Sequence, residues 1–445
     1  MLRYDSPNDI SIASLLERAK NLSPNNPAIT VNDKTYTWDE LYNRASSLAA
    51  WLDNKNITKV AYKGLNSIEF VDLIFACSFI GAICIPINVR LNEEETAVIL
   101  KDCDPYFLPT ITESMYNVVE HNTFALGTNE DLLTIVYTTG STGLPKGVMA
   151  THRGYYINAL TTSFMHGLDV GDATIITMPL FHMGAINRLF IGTFLRSHMI
   201  LMERFEPVDF MKSVEKYKVK NVTFIPTMAE MLFDRKDFFD YDMSSLENIQ
   251  FGGTKSTNTF KEKLQKNFPK AKLVETYAMT EATGNILSNG VLSPHLDAKI
   301  VDSEFVVRGP TVTPGYWNSD SSNLFTEDGW LRTGDCAEQH DDKFVITGRK
   351  KEIIISGGVN IYPAEIEEVL QSHPGVQRVS VVDTPSEKWG DIVTAYVIGN
   401  VSESELDTLC RKSLAAYKAP KRYVFVDNFP LKENGKVDKL ALKML

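Results

Sequence analysis

LENIQFGGTKSTNTFKEKLQKNFPKAKLVETYAMTE, residues 246–281, reads as strand, helix, strand. Residues 246–251 form a strand closed by Gly252-Gly253, residues 259–267 a helix, and residues 272–275 a second strand. The alternation extends outward: residues 207–218 read as a helix and 221–225 as a strand, while 73–81 then 82–87 read as helix then strand. Near the start, Thr37 and Glu40 have capping-box spacing, and Leu41, Ala45, Leu48, Ala49 and Leu52 behind them share one helical face. Repeated units of this kind imply an α/β fold of doubly wound, largely parallel sheets. In such sheets ligands sit beyond the carboxyl ends of strands, which marks Gly252-Gly253 and residues 277–281 as ligand-facing.

The texture changes after about residue 300. Short strands at 305–308 and 344–347, with turn signals at Asp328-Gly329 and Asp341-Asp342, suggest a small β-barrel-like part. A small α+β pattern follows from Lys351, with helices at 363–370 and 403–417 and strands at 379–382 and 392–397. The expected division is a large domain of residues 1–348 and a small C-terminal domain of 349–445, hinged near 348–352.

A chain of 445 residues exceeds the roughly 250–300 that one core serves, so two or more domains are expected. Its 44% apolar and 23% charged residues are those of a globular protein, and a formal charge of −11 argues against a dedicated nucleic-acid binder. The five cysteines (Cys77, Cys84, Cys103, Cys336, Cys410) are odd in number and lack metal-site spacing. Free, buried thiols and a cytoplasmic location are expected. Residues 1–14 lack the apolar core of a secretory signal, and the apolar stretch 73–87 is 15 residues long, short of the about 20 a membrane span needs.

The strand-like residues 132–136 lead into YTTGSTGLPKG, residues 137–147. Thr138, Thr139, Ser141 and Thr142 bring hydroxyls, Gly140 and Gly143 let backbone amides converge, and Lys146 adds an ammonium. This is the chemistry of a phosphate cradle. It is not a Walker loop, because Lys146 lies between Pro145 and Gly147, without the Gly before and the Ser or Thr after that such loops carry.

With this loop come MPLFHMG (178–184), FGGTK (251–255), YAMTE (277–281), GYW (315–317), DGWLRTGD (328–335), GRKKEIIISGGVNIYPAEIE (348–367) and PLKENGKVDK (430–439), in that order. The set resembles the adenylate-forming superfamily of acyl-CoA synthetases, luciferases and peptide-synthetase adenylation domains, and is closest in pattern to the acyl-CoA synthetases. The resemblance implies an acid–thiol ligase that uses ATP, Mg²⁺ and coenzyme A. A carboxylate attacks the α-phosphate, pyrophosphate leaves, and a thiol then takes the acyl group.

It also implies residue roles. Asp335 would hold the ribose hydroxyls with Arg349 beside it. Tyr277 would stack on adenine, with Gly252, Gly253 and Thr254 opposite and Ala278 and Met279 adjoining. Glu281 would hold Mg²⁺, and Thr280 would donate to the α-phosphate. Lys436 would neutralise the anions that meet in adenylation. The small domain would turn about Lys351 and present Ser356, Gly357 and Gly358 to coenzyme A. A homodimer is compatible with the pattern.

Some positions depart from it. Ala278 stands where glycine is usual, Ile355 where many relatives have lysine, and stretches 104–134 and 288–299 are short. The acyl pocket is expected from His182, Met183, Ala185, Ile186, Thr227 and Met228, mostly apolar and suited to a fatty or aryl acid. No carboxylate near His182 could hold an amino group, so an amino-acid substrate is not expected; His182 is a candidate catalytic residue, and as such a pocket wall or gate more readily than an acid–base group. Arg188 and Lys255 are either solvated at the surface or paired with a second carboxylate, as in an o-succinylbenzoate-type substrate. Loading of a carrier protein and a non-catalytic nucleotide-binding role are the remaining alternatives.

Overall fold

Polar caps start the helices. In the computed structural model, which describes residues 10–117, 130–139, 145–253, 256–356, 359–386, 390–431 and 437–445, Glu40 N–H donates to Thr37 Oγ1 at 3.2 Å and Thr37 N–H to the Glu40 carboxylate at 2.7 Å. This reciprocal pair opens the helix Trp38–Asp53. Asn92 with Glu95 and Ser402 with Glu405 open Glu93–Cys103 and Glu403–Ser413 in the same way. The apolar stretch near residue 75 is a buried helix, Ile68–Ile80. It stops at Gly81, whose φ of 67° lies in the left-handed region, and the strand Ile83–Pro86 follows.

Two compact units emerge: residues 1–254, 264–297 and 307–331 form the first, and 255–263, 298–306 and 332–445 the second. This grouping takes 332–348 with the C-terminal residues, a different line from the 348/349 division read from the sequence.

The first unit holds two α/β sheets. In one, the strands Lys272–Met279, Asn248–Gly252, Asn221–Phe224, Thr174–Ile176, Met199–Leu201 and Pro27–Val31 run parallel in that spatial order. Antiparallel strands flank this run, Gly284–Ser288 at one side and Lys34–Thr37 at the other. The other sheet has the order Tyr106–Leu108, Lys59–Tyr62, Ile83–Pro86, Leu132–Thr139, Pro145–Thr151, and its last two strands are antiparallel. Between them lies a core rich in aromatics. Phe190 meets Tyr155 and Phe75 edge-on, with centroids 5.0 and 5.9 Å apart, and each such ring fully buried contributes roughly 1.5–3 kcal/mol. Arg44 and Tyr116 both bond the buried Asp72 carboxylate, at 2.7 Å each, and so tie Trp38–Asp53 to Ile68–Ile80.

The strand-rich part expected after residue 300 is present in open order, with Glu304–Arg308 beside Leu331–His340 and the latter antiparallel to Lys343–Arg349. The α+β tail carries a five-stranded sheet built on the long hairpin Val376–Ser386 and Gly390–Gly399. Ile366 and Leu370 of the helix Pro363–Gln371 and Leu406 of Glu403–Ser413 share an apolar core with it.

Several elements have other bounds than expected; the strand read as 379–382, for one, spans Val376–Ser386. The strand read as 272–275 continues to Met279, because Thr276 to Met279 pair antiparallel with Gly284 to Ser288. The helix read as 403–417 ends at Ser413, where Leu414 turns extended (φ −126°, ψ 158°).

His152 opens the helix His152–His166, and its Nδ1 accepts the Ile12 N–H at 3.2 Å, joining the first helix to the body of the unit. Burial holds its pKa down at about 4. The unfolded chain therefore takes up this proton first, near pH 6.5, and stability should fall as pH drops from about 6.5 to 4. His152→Gln keeps an acceptor but cannot titrate. Its stability loss between pH 7 and 4.5, read by urea unfolding, should be smaller than wild type by about 2–3 kcal/mol. An unchanged loss would remove His152 from the acid response.

Candidate active site

The phosphate-loop strands form a hairpin in which Thr138 lies opposite Lys146 and Thr139 opposite Pro145. Gly140, Ser141, Thr142 and Gly143, together with the side chain of Thr139, lie outside the described residues, as do Thr254, Lys255, Gly357, Gly358 and Lys436.

What the hairpin delivers is Lys146. Its ammonium stands 4.8 Å from the centroid of the Tyr316 ring. The Tyr316 hydroxyl in turn donates to Glu281 Oε1 at 3.1 Å. Burial first, and the Glu281 charge second, raise the Tyr316 pKa, so this phenol remains a donor near neutral pH. The phosphate-loop lysine and the expected metal carboxylate are thus joined through one aromatic ring. The sequence reading had Tyr316 only as the centre of GYW and gave it no role.

The backbone holds this line in place. Trp317 N–H donates to the Gly147 carbonyl at 2.7 Å, Met149 N–H to the Gly315 carbonyl at 3.2 Å, and Thr313 N–H to the Glu281 carbonyl at 2.8 Å. Thr313 Oγ1 donates to the Met149 carbonyl at 2.7 Å. Gly315 has a φ of 144°, which an L side chain rarely adopts.

The expected adenine-binding segments are neighbours. Gly252 and Thr276 are paired residues on adjacent parallel strands. A Cβ on Gly252 would come within 2.3 Å of the Thr276 carbonyl oxygen, so only glycine fits. Gly253 turns away with a φ of 81°. Tyr277, Ala278 and Met279 end the next strand, and Thr280 and Glu281 form a short 3₁₀ turn beyond it.

The expected pocket residues lie at two helix starts. His182 caps the helix Met183–Phe194, in which Met183, Ala185 and Ile186 are buried; Thr227 and Met228 lie in the first turn of Pro226–Phe233. The His182 imidazole meets solvent, yet desolvation first and the Arg90 charge second pull its pKa to about 4. A ring that is neutral at pH 7 suits a wall or gate better than a proton donor.

Arg188 corrects the sequence reading. It is not solvated but 3% exposed. Its Nε donates to Thr174 Oγ1 at 2.9 Å and Nη1 to Gln250 Oε1 at 3.0 Å.

In the second unit Asp335 and Arg349 face each other on antiparallel strands, with Nε to Oδ1 at 2.9 Å. Asp335 is buried, while the Arg349 side chain is half exposed. Beside them the buried Glu304 accepts from Arg332 at 3.1 Å, Lys350 at 3.0 Å and the Gly334 N–H at 3.1 Å. Glu304 had no local sequence signal, since its partners come from three later segments. Lys351 is exposed in the 3₁₀ turn Lys350–Glu352, and Ser356 ends the strand Ile354–Ser356. The partly buried Lys439 ammonium bonds Glu352 at 2.9 Å and Glu367 at 3.1 Å, which ties the C-terminal segment to the turn Lys350–Glu352.

Residues 16–126 and 109–317 match the family model of the AMP-binding enzyme, and residues 365–436 that of the AMP-binding enzyme C-terminal domain. The 2-succinylbenzoate–CoA ligase of Bacillus cytotoxicus is 32% identical, over 97% of this chain and 98% of its own. That of Bacillus cereus is 30% identical over the same shares, 97% and 98%. The solved structure of o-succinylbenzoate CoA synthetase from Bacillus subtilis, in complex with its acyl-adenylate intermediate, superposes with a TM-score of 0.84 at 26% identity and covers 98% of each chain. Matched along well over half its length by the family model and along nearly all of it by these relatives, the chain belongs to the AMP-binding enzyme family, that of the AMP-forming acid–thiol ligases.

Proposed function

We propose that this chain joins 2-succinylbenzoate, or a closely similar aryl acid with a second carboxylate, to coenzyme A through an acyl-adenylate. The line Lys146–Tyr316–Glu281 is the observation that carries the adenylating chemistry. Relatives of that name, aligned over 97% of the chain, support the choice of acid. The buried Met183, Ala185 and Ile186 suit its aryl ring and would equally suit a fatty acid.

In this reading the substrate carboxylate attacks the α-phosphorus of ATP in line, and the bond to pyrophosphate breaks. No general base is needed, because the acid is ionised at neutral pH. The loop 138–146 grips the departing pyrophosphate, with Lys146 as its cation. Asp335 accepts from the ribose hydroxyls and Arg349 orients it. Tyr277 stacks on the adenine, Thr280 donates to the α-phosphate, and Lys436 offsets the charge of the two anions as they meet. A thiol of coenzyme A then attacks the acyl carbon and AMP leaves. Between the steps the C-terminal domain, taken as residues 349–445, turns about Lys351 and brings the Ser356–Gly358 face to the thiol.

Mg²⁺ favours hard oxygen ligands and few protein groups beside phosphate. Glu281, oriented by Tyr316 and by the Thr313 N–H to its carbonyl, fits that need. When bound, the ion would neutralise phosphate charge. Five buried, unpaired cysteines support a cytoplasmic setting, and among the described residues no helix is long and apolar enough to cross a membrane.

Exchange of labelled pyrophosphate into ATP should depend on 2-succinylbenzoate, and coenzyme A should convert the product to a thioester detectable by mass. Exchange driven only by fatty acids would replace the substrate, and no exchange with any acid would end the enzymatic reading. Lys436→Ala should abolish exchange but keep most thioester formation from supplied acyl-adenylate; equal loss of both would remove it from the first step. Tyr316→Phe should raise the Mg²⁺ concentration for half-maximal exchange by about 3–10-fold, as loss of one hydrogen bond to a charged group suggests. An unchanged requirement would make the Tyr316 hydroxyl structural only.

A further inference from the structure

Arg188 is a charged group deep inside the first unit. Two of its three nitrogens are bonded, to Thr174 and to Gln250. The third, Nη2, is buried with no hydrogen-bond partner among the described residues. No carboxylate pairs with it there either, and burial alone shifts its pKa, down to about 10. The surroundings are polar but without negative charge. Gln250 Nε2 donates to Asn248 Oδ1 and also lies beside the ring of His166; Asn248 Nδ2 donates to the His166 carbonyl, and so does Lys272 Nζ, at 2.9 Å. Burial first, and the Arg188 charge second, keep His166 neutral, its pKa near 3. Its Nε2 meets Ser288 Oγ at 2.9 Å, and Nδ1 is without a partner in bonding geometry.

Neutral dipoles satisfy hydrogen bonds but do not cancel a charge, and an uncompensated buried cation is costly. A guanidinium does not escape that cost by losing its proton at neutral pH. A water on Nη2 would complete its hydrogen bonds and leave the charge. A small anion would do both.

We propose that Arg188 Nη2, with His166 beside it, forms a buried anion-binding position between the helices His152–His166 and Met183–Phe194 and the parallel sheet, for one carboxylate or a halide. Two sources share that chemistry. One is the second carboxylate of the substrate acid, which rests on the function proposed above; the other is a free inorganic anion such as chloride, which does not. Position favours the first. Arg188 lies on the helix that carries Met183, Ala185 and Ile186 at its start. Its partner Gln250 lies two residues before Gly252, roughly 7 Å down the strand from the ligand-facing end.

Two measurements on the wild-type chain test the proposal without any variant. Thermal unfolding is followed in sodium chloride and in sodium gluconate of equal ionic strength, gluconate being much the larger anion. Pyrophosphate exchange is followed with 2-succinylbenzoate and with 4-oxo-4-phenylbutanoate, which lacks the ring carboxylate. If the substrate supplies the anion, kcat/KM should favour the diacid by about 30-fold, and chloride should compete with the diacid alone. Arg188→Met should then bring the ratio close to one, while Arg188→Lys retains part of it. Equal use of both acids with stabilisation by chloride over gluconate assigns the position to an inorganic anion. Neither acid preference nor a chloride effect overturns the site and leaves a bound water only. Exchange driven by unrelated acids but not by 2-succinylbenzoate would defeat the substrate reading, and the chloride arm would still decide the site.

Discussion

The adenylating site depends on one short antiparallel junction, where residues 313–317 clasp the strand that leaves the phosphate loop. Trp317 and Gly147, Gly315 and Met149, and Thr313 and Glu281 are locked by backbone hydrogen bonds of 2.7 to 3.2 Å. These bonds do not act on ligand directly. They fix the Tyr316 ring so that one face meets the Lys146 ammonium and its hydroxyl meets Glu281. In the function proposed, a cation for departing phosphate and a carboxylate for a metal would have to stand close together without collapsing into a salt bridge. A phenol between them achieves this, because its face attracts the cation and its hydroxyl bonds the anion. Groups held by the fold need little rearrangement when charge develops, which is the main source of electrostatic catalysis.

The second unit sorts its carboxylates by the same reasoning. Asp335 and Glu304 are both buried carboxylates of this unit. Glu304 receives two side-chain cations and the Gly334 N–H, all within 3.1 Å. Such a group fixes structure, here the strand that carries Asp335. The Asp335 pairing partner is Arg349, whose half-exposed side chain is screened by water and easily shifted.

Local chemistry made much of this legible in advance. Capping boxes, the glycine that ends Ile68–Ile80 and the alternation of strand with helix depend on residues close in sequence, and the structure has them. The errors lie where distant pairing decides. The strand Lys272–Met279 runs on because Gly284–Ser288 returns beside it. Glu304 was unmarked because its partners, Arg332, Gly334 and Lys350, come from later segments. Tyr316 stood inside a quoted motif, but its role requires Lys146 and Glu281 to be neighbours in space. Arg188 read either as solvated or as the partner of a second carboxylate; only the sheet reveals that it is buried and that its bonding partners are Thr174 and Gln250.

Arg188 also bears on what kind of selectivity the fold can offer. An apolar pocket separates acids by size and discriminates weakly, since one methylene is worth only about 1–3 kcal/mol. A buried polar group works differently, because any ligand that leaves it unpaired forfeits its desolvation cost. The interior behind Met183–Phe194 is of the second kind, with Asn248, Gln250, Thr174 and His166 gathered around a cation where aliphatic side chains would have packed more cheaply. Stability alone does not account for such an arrangement, since replacing buried charges by apolar residues of similar volume is often neutral or favourable. A cation kept there against that cost is better matched to an anion it must receive than to the packing of the sheet. In the same molecule the buried Asp72 has its own cation, Arg44, at 2.7 Å, whereas no carboxylate stands against Arg188 among the described residues.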